Sequence, residues 1–222
     1  MHMNSKQNEA KAYIFLNGDF EKPLRGWPEK PTESDLVIAA DGGGRHALSL
    51  DWPIHCLIGD LDSIDPETLK AITGAGAEIS RFPSEKDEID FELALNLARQ
   101  RGYVNIEVLG ALGGRWDMTF GNIFLPGAMG WGHDAIRFRH GAWSFIVLKG
   151  PARLSVPGKP GDLLSLLPLG EDVRNASLTG CCFALSGETL KAGLSRGLSN
   201  EMSAETAELN FTEGTLLVIH RS

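Results

Sequence analysis

The chain has 222 residues, of which 42% are hydrophobic, and a formal net charge of -8. A chain of this length and apolar content can bury a sizeable core, as one large domain or two small ones. The acidic balance argues against a general nucleic-acid or membrane-surface binder, because such partners select a basic face. We therefore expect no nucleic acid and no membrane among its partners.

Cysteine usage and the N-terminal sequence bear on the cellular compartment. The chain has three cysteines, Cys56, Cys181 and Cys182, of which the last two are adjacent. The number is odd, and the spacing contains no CxxC motif that would suggest a zinc or redox site. The polar N-terminus lacks the apolar core of a signal peptide, and no run of about 18 apolar residues predicts a membrane span. These features predict reduced thiols and a cytoplasmic protein.

Short apolar runs end in turn-forming or acidic residues along the first part of the chain. Residues 13–16, 36–40 and 56–58 predict buried parallel strands, and the third is followed by Gly59, Asp60 and Asp62. Ligands of open α/β sheets bind beyond the carboxyl ends of the strands. The two aspartates can therefore hold a divalent cation against a phosphate chain, and a solvated turn is the alternative.

Glycines follow the second predicted strand in the segment Asp41-Gly42-Gly43-Gly44. Successive glycines let the backbone approach a ligand closely and expose N–H groups to anions. A plain turn from a strand into a helix explains them equally well.

A fourth strand, residues 78–82, leads into a predicted amphipathic helix over residues 85–101 that Gly102 ends. Asp87 and Asp90 are three residues apart and share a face of its first turns. Ser84 and Asp87 match a capping box, so Asp87 has a structural explanation. Asp90 lies between two apolar residues, which indicates that its face looks into a site.

A fifth strand, residues 104–109, delivers the chain into the glycine-rich segment GALGGRWDMTFGNIFL. Arg115 offers a planar cationic fork for phosphate oxygens. Asp117 is suited to a metal, a ribose or a donor on the substrate. The alternative is a surface Arg–Asp pair beside a turn.

The pattern changes after about residue 141 to short alternating runs separated by glycine and proline. Such runs predict antiparallel strands in a β-sandwich or partly closed barrel. The predicted strands are residues 144–148, 152–156, 163–167, 173–178, 205–211 and 216–220.

Four segments resemble, in order and spacing, the signature blocks of the thiamine pyrophosphokinase (thiamin diphosphokinase) family. They are DGG from Asp41, GDLDS from Gly59, KDEID from Lys86 and GALGGRWD from Gly110. The C-terminal segments SLLPL, TGCCFAL and LSNE also fall in the order that the family shows. The resemblance covers nearly the whole chain, from about Tyr13 to His220.

The resemblance implies transfer of pyrophosphate from ATP to the hydroxyl of thiamine, giving thiamine diphosphate and AMP with Mg²⁺ as cofactor. It also implies an α/β fold in which an N-terminal Rossmann-like, mostly parallel α/β/α domain (residues 13–140) binds ATP and Mg²⁺. A C-terminal antiparallel β-sandwich or barrel domain (residues 141–222) would bind thiamine and form a homodimer.

Site residues carry over from the family by position. The implied catalytic residues are Asp60, Asp62, Asp90 and Arg115, and the implied metal ligands are Asp60, Asp62 and Asp90. Residues implied in cofactor binding are Asp41, Gly42, Gly43, Lys86, Asp87, Gly113, Gly114, Asp117 and Asn122. Phe183, Ser199 and Asn200 are implied in thiamine binding. Which carboxylate activates the thiamine hydroxyl stays open, with Asp90 as a candidate.

Three positions depart from the family pattern without removing a charge from the implied site. Met118 stands where the family commonly has a histidine, Leu61 where it has a phenylalanine, and Ile89 where it has a threonine. Two other functions remain in view. One is a Mg²⁺-dependent pyrophosphokinase or nucleotidyltransferase acting on another small alcohol, and the other is a non-catalytic nucleotide or thiamine sensor.

Overall fold

The computed structural model describes residues 10–22, 27, 30–130 and 136–222. The chain divides into two compact units, of which the first ends at Asn122 and the second runs through Ile123–Ser222. The predicted domain boundary between residues 140 and 141 lies farther along the chain than this division. That boundary stays a prediction.

The first unit contains the elements β1 (Lys11–Phe15), β2 (Leu36–Ala40), α1 (Gly44–Ser49), β3 (Cys56–Gly59), α2 (Pro66–Gly74), β4 (Glu78–Arg81), α3 (Asp90–Gln100), β5 (Asn105–Leu109) and α4 (Trp116–Ala128), which continues past Asn122. Its strands form a parallel sheet with the order β5-β1-β2-β3-β4, which confirms the predicted α/β class. All residues of the central strand β2 are buried, as expected for a parallel strand covered on both faces.

Helix α3 begins five residues later than the sequence pattern predicts. Its N-cap is Ile89, which has extended backbone and no side-chain cap, so the predicted capping box of Ser84 and Asp87 is wrong. The buried face consists of Phe91, Ala94, Leu95 and Ala98. A local ion pair between Lys86 and Asp90, which are four residues apart, connects the turn that precedes the helix to the first helical residue.

Helix α2 is absent from the sequence-based predictions, although it carries a standard start signal. The Asp65 carboxylate accepts a hydrogen bond of 2.9 Å from the backbone N–H of Thr68, and Pro66 occupies the first helical turn. Both features stabilise a helix N-terminus.

The second unit contains the strands β6 (Ile136–His140), β7 (Trp143–Lys149), β8 (Ala152–Pro157), β9 (Leu163–Pro168), β10 (Val173–Thr179), β11 (Leu185–Leu190), β12 (Asn200–Glu201), β13 (Thr206–Phe211) and β14 (Thr215–Arg221). They form two antiparallel sheets, with the strand orders β12-β9-β14-β7-β6 and β11-β10-β13-β8. The inner faces share one apolar core, to which β7, β9 and β14 contribute from one sheet and β8, β10, β11 and β13 from the other. The predicted antiparallel β-sandwich is therefore confirmed.

The cysteines are free thiols, as the sequence predicts. Cys56 and Cys181 are buried, and Cys182 is exposed. In the part of the chain that the structure describes, no helix is both long enough and apolar enough to cross a membrane. The cytoplasmic location stays a prediction.

Candidate functional site

A cavity of about 420 Å³ opens at the carboxyl ends of the parallel strands in the first unit. The loops after β1, β2, β3 and β5 contribute to its lining, together with the first turns of α3 and α4. Its lining residues are Leu16, Asn17, Gly18, Ala40, Asp41, Asp60, Asp62, Ser63, Asp90, Phe91, Gly110, Ala111, Gly113, Gly114, Arg115, Met118 and Asn122. The fold thus brings distant segments of the sequence to one site, as the strand-end pattern predicts.

Three carboxylates form the acidic centre of this cavity. Asp41, Asp60 and Asp62 each offer an oxygen atom, and these oxygens all lie within 4.8 Å of one another. Asp41 is buried, Asp60 is half-buried and Asp62 is exposed. Clustered carboxylate oxygens suit a hard divalent cation such as Mg²⁺. Of the three predicted metal ligands, Asp60 and Asp62 belong to this cluster together with Asp41, and Asp90 is not a member of it.

The backbone around this acidic centre adopts conformations that L-residues rarely use. Asp41 has φ 44° and Leu61 has φ 66°. The N–H of Leu61 donates a hydrogen bond of 2.9 Å to Oδ1 of Asp41, and a Cβ at Gly59 would collide with the same carboxylate. Such conformations persist where surrounding contacts enforce them, and they concentrate at functional sites. A side chain at position 59 would displace Asp41.

Crowding of like charges changes the pKa values in this centre. Burial, together with a side-chain hydrogen bond to Asp90, raises the pKa of Asp41 to about 7. The N–H of Asp62 donates to Asp60 and lowers the pKa of Asp60, whereas the neighbouring carboxylate of Asp60 raises the pKa of Asp62. Repulsion between neighbouring carboxylates opposes the ionisation of all of them, and a bound cation would relieve that repulsion.

Lys86 and Asp90 flank the acidic centre. The Nζ of Lys86 lies 2.9 Å from Oδ1 of Asp90, and both side chains are largely buried. Burial alone would lower the pKa of Lys86, but the hydrogen bond and charge of Asp90 and the charges of Asp60 and Asp41 raise it above its usual value. Asp90 lines the cavity, as the sequence predicts, and it links Lys86 to Asp41.

The glycine-rich block forms a further wall of the cavity. Gly113 and Gly114 have φ 77° and 63°, and the N–H of Gly114 donates to Asp19 over 3.2 Å. Arg115 is exposed at the cavity and forms an ion pair with Asp117, which is itself exposed in the first turn of α4. The positive φ values explain why this segment requires glycine.

Five of the residues implied in cofactor binding are described by the structure but do not line the cavity. They are Gly42, Gly43, Lys86, Asp87 and Asp117. Gly42 and Gly43 are buried, where a Cβ would collide with the Asn17 side chain and with the Phe15 carbonyl respectively. Close packing against the end of β1 therefore accounts for both glycines. Asp87 is exposed.

Asn17 and Ser63 are lining residues that the sequence reasoning did not assign to the site. The Nδ2 of Asn17 donates to Oγ of Ser63 over 3.4 Å, and the N–H of Gly42 donates to the same oxygen over 3.3 Å. Arg45 donates to Oδ1 of Asn17 over 2.7 Å. The sequence places the polar segment Asn17-Gly18-Asp19 at the ligand-facing end of a predicted strand, but it assigns no role to Asn17 itself.

The second unit presents the residues implied in thiamine binding. Phe183 is 63% exposed, an unusual state for a phenylalanine. Asn200 is buried, and its side-chain amide forms two hydrogen bonds with the backbone of Phe183. Its Oδ1 accepts from the Phe183 N–H over 3.0 Å, and its Nδ2 donates to the Phe183 carbonyl over 2.7 Å. Ser199 has φ 55°, and its N–H donates to Ser165. Asn200 thus holds the backbone that presents the exposed ring.

Comparison with family models agrees with both halves of this description. Residues 29–129 match the thiamin pyrophosphokinase catalytic domain, and residues 152–216 match the thiamin pyrophosphokinase vitamin B1 binding domain. The chain belongs to the thiamine pyrophosphokinase family. The predicted boundary at residues 140 and 141 lies between the two matched regions.

Individual members of the thiamine pyrophosphokinase family resemble the chain over nearly its full length. The thiamine pyrophosphokinase of Bacillus subtilis is 28% identical over 88% of this chain and 90% of its own. The crystal structure of thiamin pyrophosphokinase from Geobacillus thermodenitrificans has a TM-score of 0.80 at 26% identity and covers 96% of this chain and 97% of its own. A family protein from Enterococcus faecalis has a TM-score of 0.81 at 26% identity, covering 96% and 99%.

The three departures from the thiamine pyrophosphokinase pattern have different surroundings. Met118 lines the cavity and contributes a thioether to its wall, where a histidine would contribute a titratable ring. Leu61 packs in the core of the first unit while its N–H holds Asp41. Ile89 is the N-cap of α3 and provides no side-chain hydrogen bond there. None of these three residues is one of the carboxylates of the cavity, so the three departures leave the number of acidic groups there unchanged.

Proposed function

We propose that this chain transfers the pyrophosphoryl group of ATP to the hydroxyl of thiamine, forming thiamine diphosphate and AMP. The observation that carries the proposal is the cavity in which Asp41, Asp60, Asp62 and Asp90 meet Arg115, with Lys86 beside them. Transfer of phosphoryl-type groups depends chiefly on positioning and charge stabilisation, and this set provides both. The match to catalytic and vitamin B1 binding models supports thiamine as the acceptor.

We assign Mg²⁺ to Asp41, Asp60 and Asp62, with Asp90 next to them. Their oxygens are hard ligands close enough to share one ion, and Mg²⁺ prefers a few carboxylates together with phosphate oxygens. When bound, the ion supplies charge neutralisation on the phosphate chain. Among the predicted ligands, Asp90 instead pairs with Lys86 at 2.9 Å, which suits a role in positioning that ammonium group.

The protein side chains have separate tasks in the transfer. The thiamine hydroxyl oxygen attacks the β-phosphorus, the bond from that phosphorus to the oxygen of the α-phosphate breaks, and AMP leaves with the bonding electrons. The hydroxyl proton passes to a carboxylate of the cavity. Lys86 and Arg115 offset negative charge on the phosphates, because ammonium and guanidinium groups donate strong hydrogen bonds to phosphate oxygens. Arg115 must exchange its contact with Asp117 for the phosphate.

Phe183 is assigned to stacking on a thiamine ring. An aromatic face attracts a heteroaromatic cation, and the 63% exposure of Phe183 leaves that face available. Asn200 is assigned to positioning, since both ends of its amide bond the Phe183 backbone. The exposed phenylalanine favours thiamine over another small alcohol as the acceptor. The presence of all the carboxylates favours a catalyst over a non-catalytic nucleotide or thiamine sensor.

Phe183→Ala is expected to raise the KM for thiamine by about tenfold, because stacking contributes on the order of 1 kcal/mol beyond burial. The turnover number should change less, since the ring binds ground and transition states alike. Steady-state kinetics with thiamine varied and ATP saturating measure both. Phe183→Trp serves as the matched control that keeps an aromatic face, and an unchanged KM in the alanine variant would remove Phe183 from the site.

We also propose a homodimer in the cytoplasm. Trp116, Phe120 and Phe124 recur at four-residue intervals on one face of α4 and are 69%, 58% and 49% exposed. A contiguous exposed aromatic face is typical of an interaction surface, and we assign it to a second copy of this chain. Sedimentation equilibrium should give twice the chain mass, and a monomer at micromolar concentration would oppose the assignment.

The direct test of the proposed function is incubation of the purified protein with ATP, Mg²⁺ and thiamine, followed by chromatography of nucleotides and thiamine esters. AMP and thiamine diphosphate should appear in equal amounts. Release of ADP with thiamine monophosphate would indicate a kinase instead. Binding of ATP with thiamine left unchanged would indicate a different acceptor or a sensor.

A further inference from the structure

We propose that the hydroxyl group of Ser63 donates a hydrogen bond to an oxygen of the bound phosphate chain. This inference rests on the proposed function and adds a neutral donor to the charged groups that bind the phosphates. The sequence places Ser63 at the end of the GDLDS segment without giving it a role.

Ser63 is accessible from the cavity. It directly follows Asp62, lines the cavity together with Asp60 and Asp62, and is exposed. Atoms of a ligand that enters the cavity can therefore reach the Ser63 side chain.

Two N–H groups donate to the oxygen atom of the Ser63 hydroxyl. The Nδ2 of Asn17 donates to Oγ over 3.4 Å, and the backbone N–H of Gly42 donates to it over 3.3 Å. The orientation of the Asn17 amide is fixed by Arg45, which donates to its Oδ1 over 2.7 Å. The NH₂ end of the amide must then face Ser63, so Oγ is an acceptor in both contacts.

The two donors determine the direction of the Ser63 hydroxyl proton. A hydroxyl group has one proton to donate in addition to its two acceptor positions. That proton is repelled by the N–H groups of Asn17 and Gly42 and must point away from both. In the described part of the chain, no acceptor takes a hydrogen bond from Ser63. The hydroxyl is thus held as a donor, and the ligand that complements it is an acceptor.

The charges of the cavity favour a phosphate oxygen as this acceptor. The acidic centre of Asp41, Asp60 and Asp62 lines the same cavity, so an anion is expected to enter it together with a cation. Of the two substrates, ATP carries anionic oxygens, whereas thiamine is itself a cation. A hydrogen bond to an ionised oxygen is roughly twice as strong as one between neutral groups. We therefore expect Ser63 to contact the Mg²⁺ complex of the phosphate chain.

Isothermal titration calorimetry with tripolyphosphate in the presence of Mg²⁺ measures this contact without adenine or thiamine. In Ser63→Ala the dissociation constant should rise about tenfold or more, the usual effect of losing a hydrogen bond to a charged group. Ser63→Thr keeps the hydroxyl and should bind as the wild type does. The matched control is Ser49→Ala, which removes an exposed hydroxyl that donates to the His46 carbonyl on α1 outside the cavity. Its binding should also equal that of the wild type.

Asn17 is a positioning residue for the Ser63 hydroxyl, so its effect should depend on Ser63. Asn17→Ala should weaken the binding of Mg²⁺ and tripolyphosphate by about threefold in the wild-type background, because one neutral hydrogen bond is lost. In the Ser63→Ala background the same substitution should change binding little. Equal losses in the two backgrounds would contradict the orientation of the hydroxyl by Asn17.

No binding of tripolyphosphate by the wild type, or unchanged binding in Ser63→Ala, would overturn the inference. Equal weakening in Ser63→Ala and Ser63→Thr would also overturn it, because the effect would then follow from packing. If Ser63→Ala does not fold, Ser63→Cys gives the same comparison, since a thiol is a weak donor of similar size. Failure of the proposed function is distinguishable, because ATP and thiamine would then give no thiamine diphosphate, whereas the tripolyphosphate measurement uses no thiamine.

Discussion

Asp62→Asn is expected to lower turnover by about a thousandfold, because a cation between phosphate oxygens and carboxylates stabilises much of the charge in the transition state. Asp62 is exposed, and its carboxyl lies with those of Asp41 and Asp60 at the cavity. The loss is therefore one of charge at the metal position and not one of packing. The thermal unfolding midpoint should stay within a few degrees of the wild type.

The matched control for Asp62→Asn is Asp51→Asn. Asp51 is exposed, has φ 55°, and pairs with Lys30 away from the cavity, so the substitution removes the same charge from a surface turn that tolerates asparagine. Its turnover should match the wild type. Raising the Mg²⁺ concentration should recover part of the activity of Asp62→Asn, and near-normal turnover of that variant at ordinary Mg²⁺ would exclude Asp62 from the metal site.

Asp90→Asn is expected to lower turnover by at least about a hundredfold, the scale of losing one preorganised charged contact to a transferring group. The variant releases Lys86, whose Nζ now lies 2.9 Å from the Asp90 carboxylate, and removes a negative charge beside Asp41. Single-turnover kinetics at saturating ATP and thiamine measure this loss separately from binding.

Asp90→Asn should also change the pH dependence of Mg²⁺ binding. Burial and then Asp90 raise the pKa of Asp41 to about 7 from its usual 3.8. In the wild type, Mg²⁺ must displace a proton below about pH 7, so its affinity should fall about tenfold per pH unit there. Removal of the Asp90 charge lowers the pKa of Asp41. The fall in Mg²⁺ affinity on the acid side of the pH profile, its acid limb, should therefore begin at a lower pH in Asp90→Asn.

The raised pKa of Asp41 also predicts how the free energy of unfolding depends on pH in the absence of Mg²⁺. Asp41 binds its proton more tightly in the folded state than in the unfolded state, so folding is favoured at low pH. The free energy of unfolding should fall as the pH rises from about 4 to about 7, and should fall less in Asp90→Asn. Urea denaturation at pH 5 and pH 8 measures the difference. An acid limb and a stability slope that are identical in wild type and Asp90→Asn would contradict the coupling of Asp41 to Asp90.

Much of the site follows from the sequence, because strand ends are easy to locate. The apolar runs before Asp41 and Asp60 are continuous, and parallel strands bring their carboxyl ends to one edge. Asp90 is identifiable because an acid between Ile89 and Phe91 has no packing explanation. Both patterns involve only neighbouring residues in the chain, and the residues that they identify lie at the cavity in the structure.

Contacts between distant segments could not be read from the sequence. Asp41 joins Asp60 and Asp62 because two residues adopt positive φ and an N–H of the next loop holds its carboxylate. Gly42 and Gly43 have a packing explanation that depends on how closely β1 approaches. The backbone of the exposed Phe183 is held by the amide of Asn200, which lies 17 residues later in strand β12. Each of these features arises from tertiary geometry that no local pattern encodes.

In the proposed reaction, the β- and γ-phosphates of ATP are transferred together to thiamine at the acidic cavity. Incubation of the wild-type protein with thiamine, Mg²⁺ and ATP labelled at either the β- or the γ-phosphate tests it most directly. We predict that both labels appear in thiamine diphosphate in equal yield, with unlabelled AMP as the other product, and that Asp62→Asn transfers neither. Transfer of the γ-label without the β-label would contradict the account.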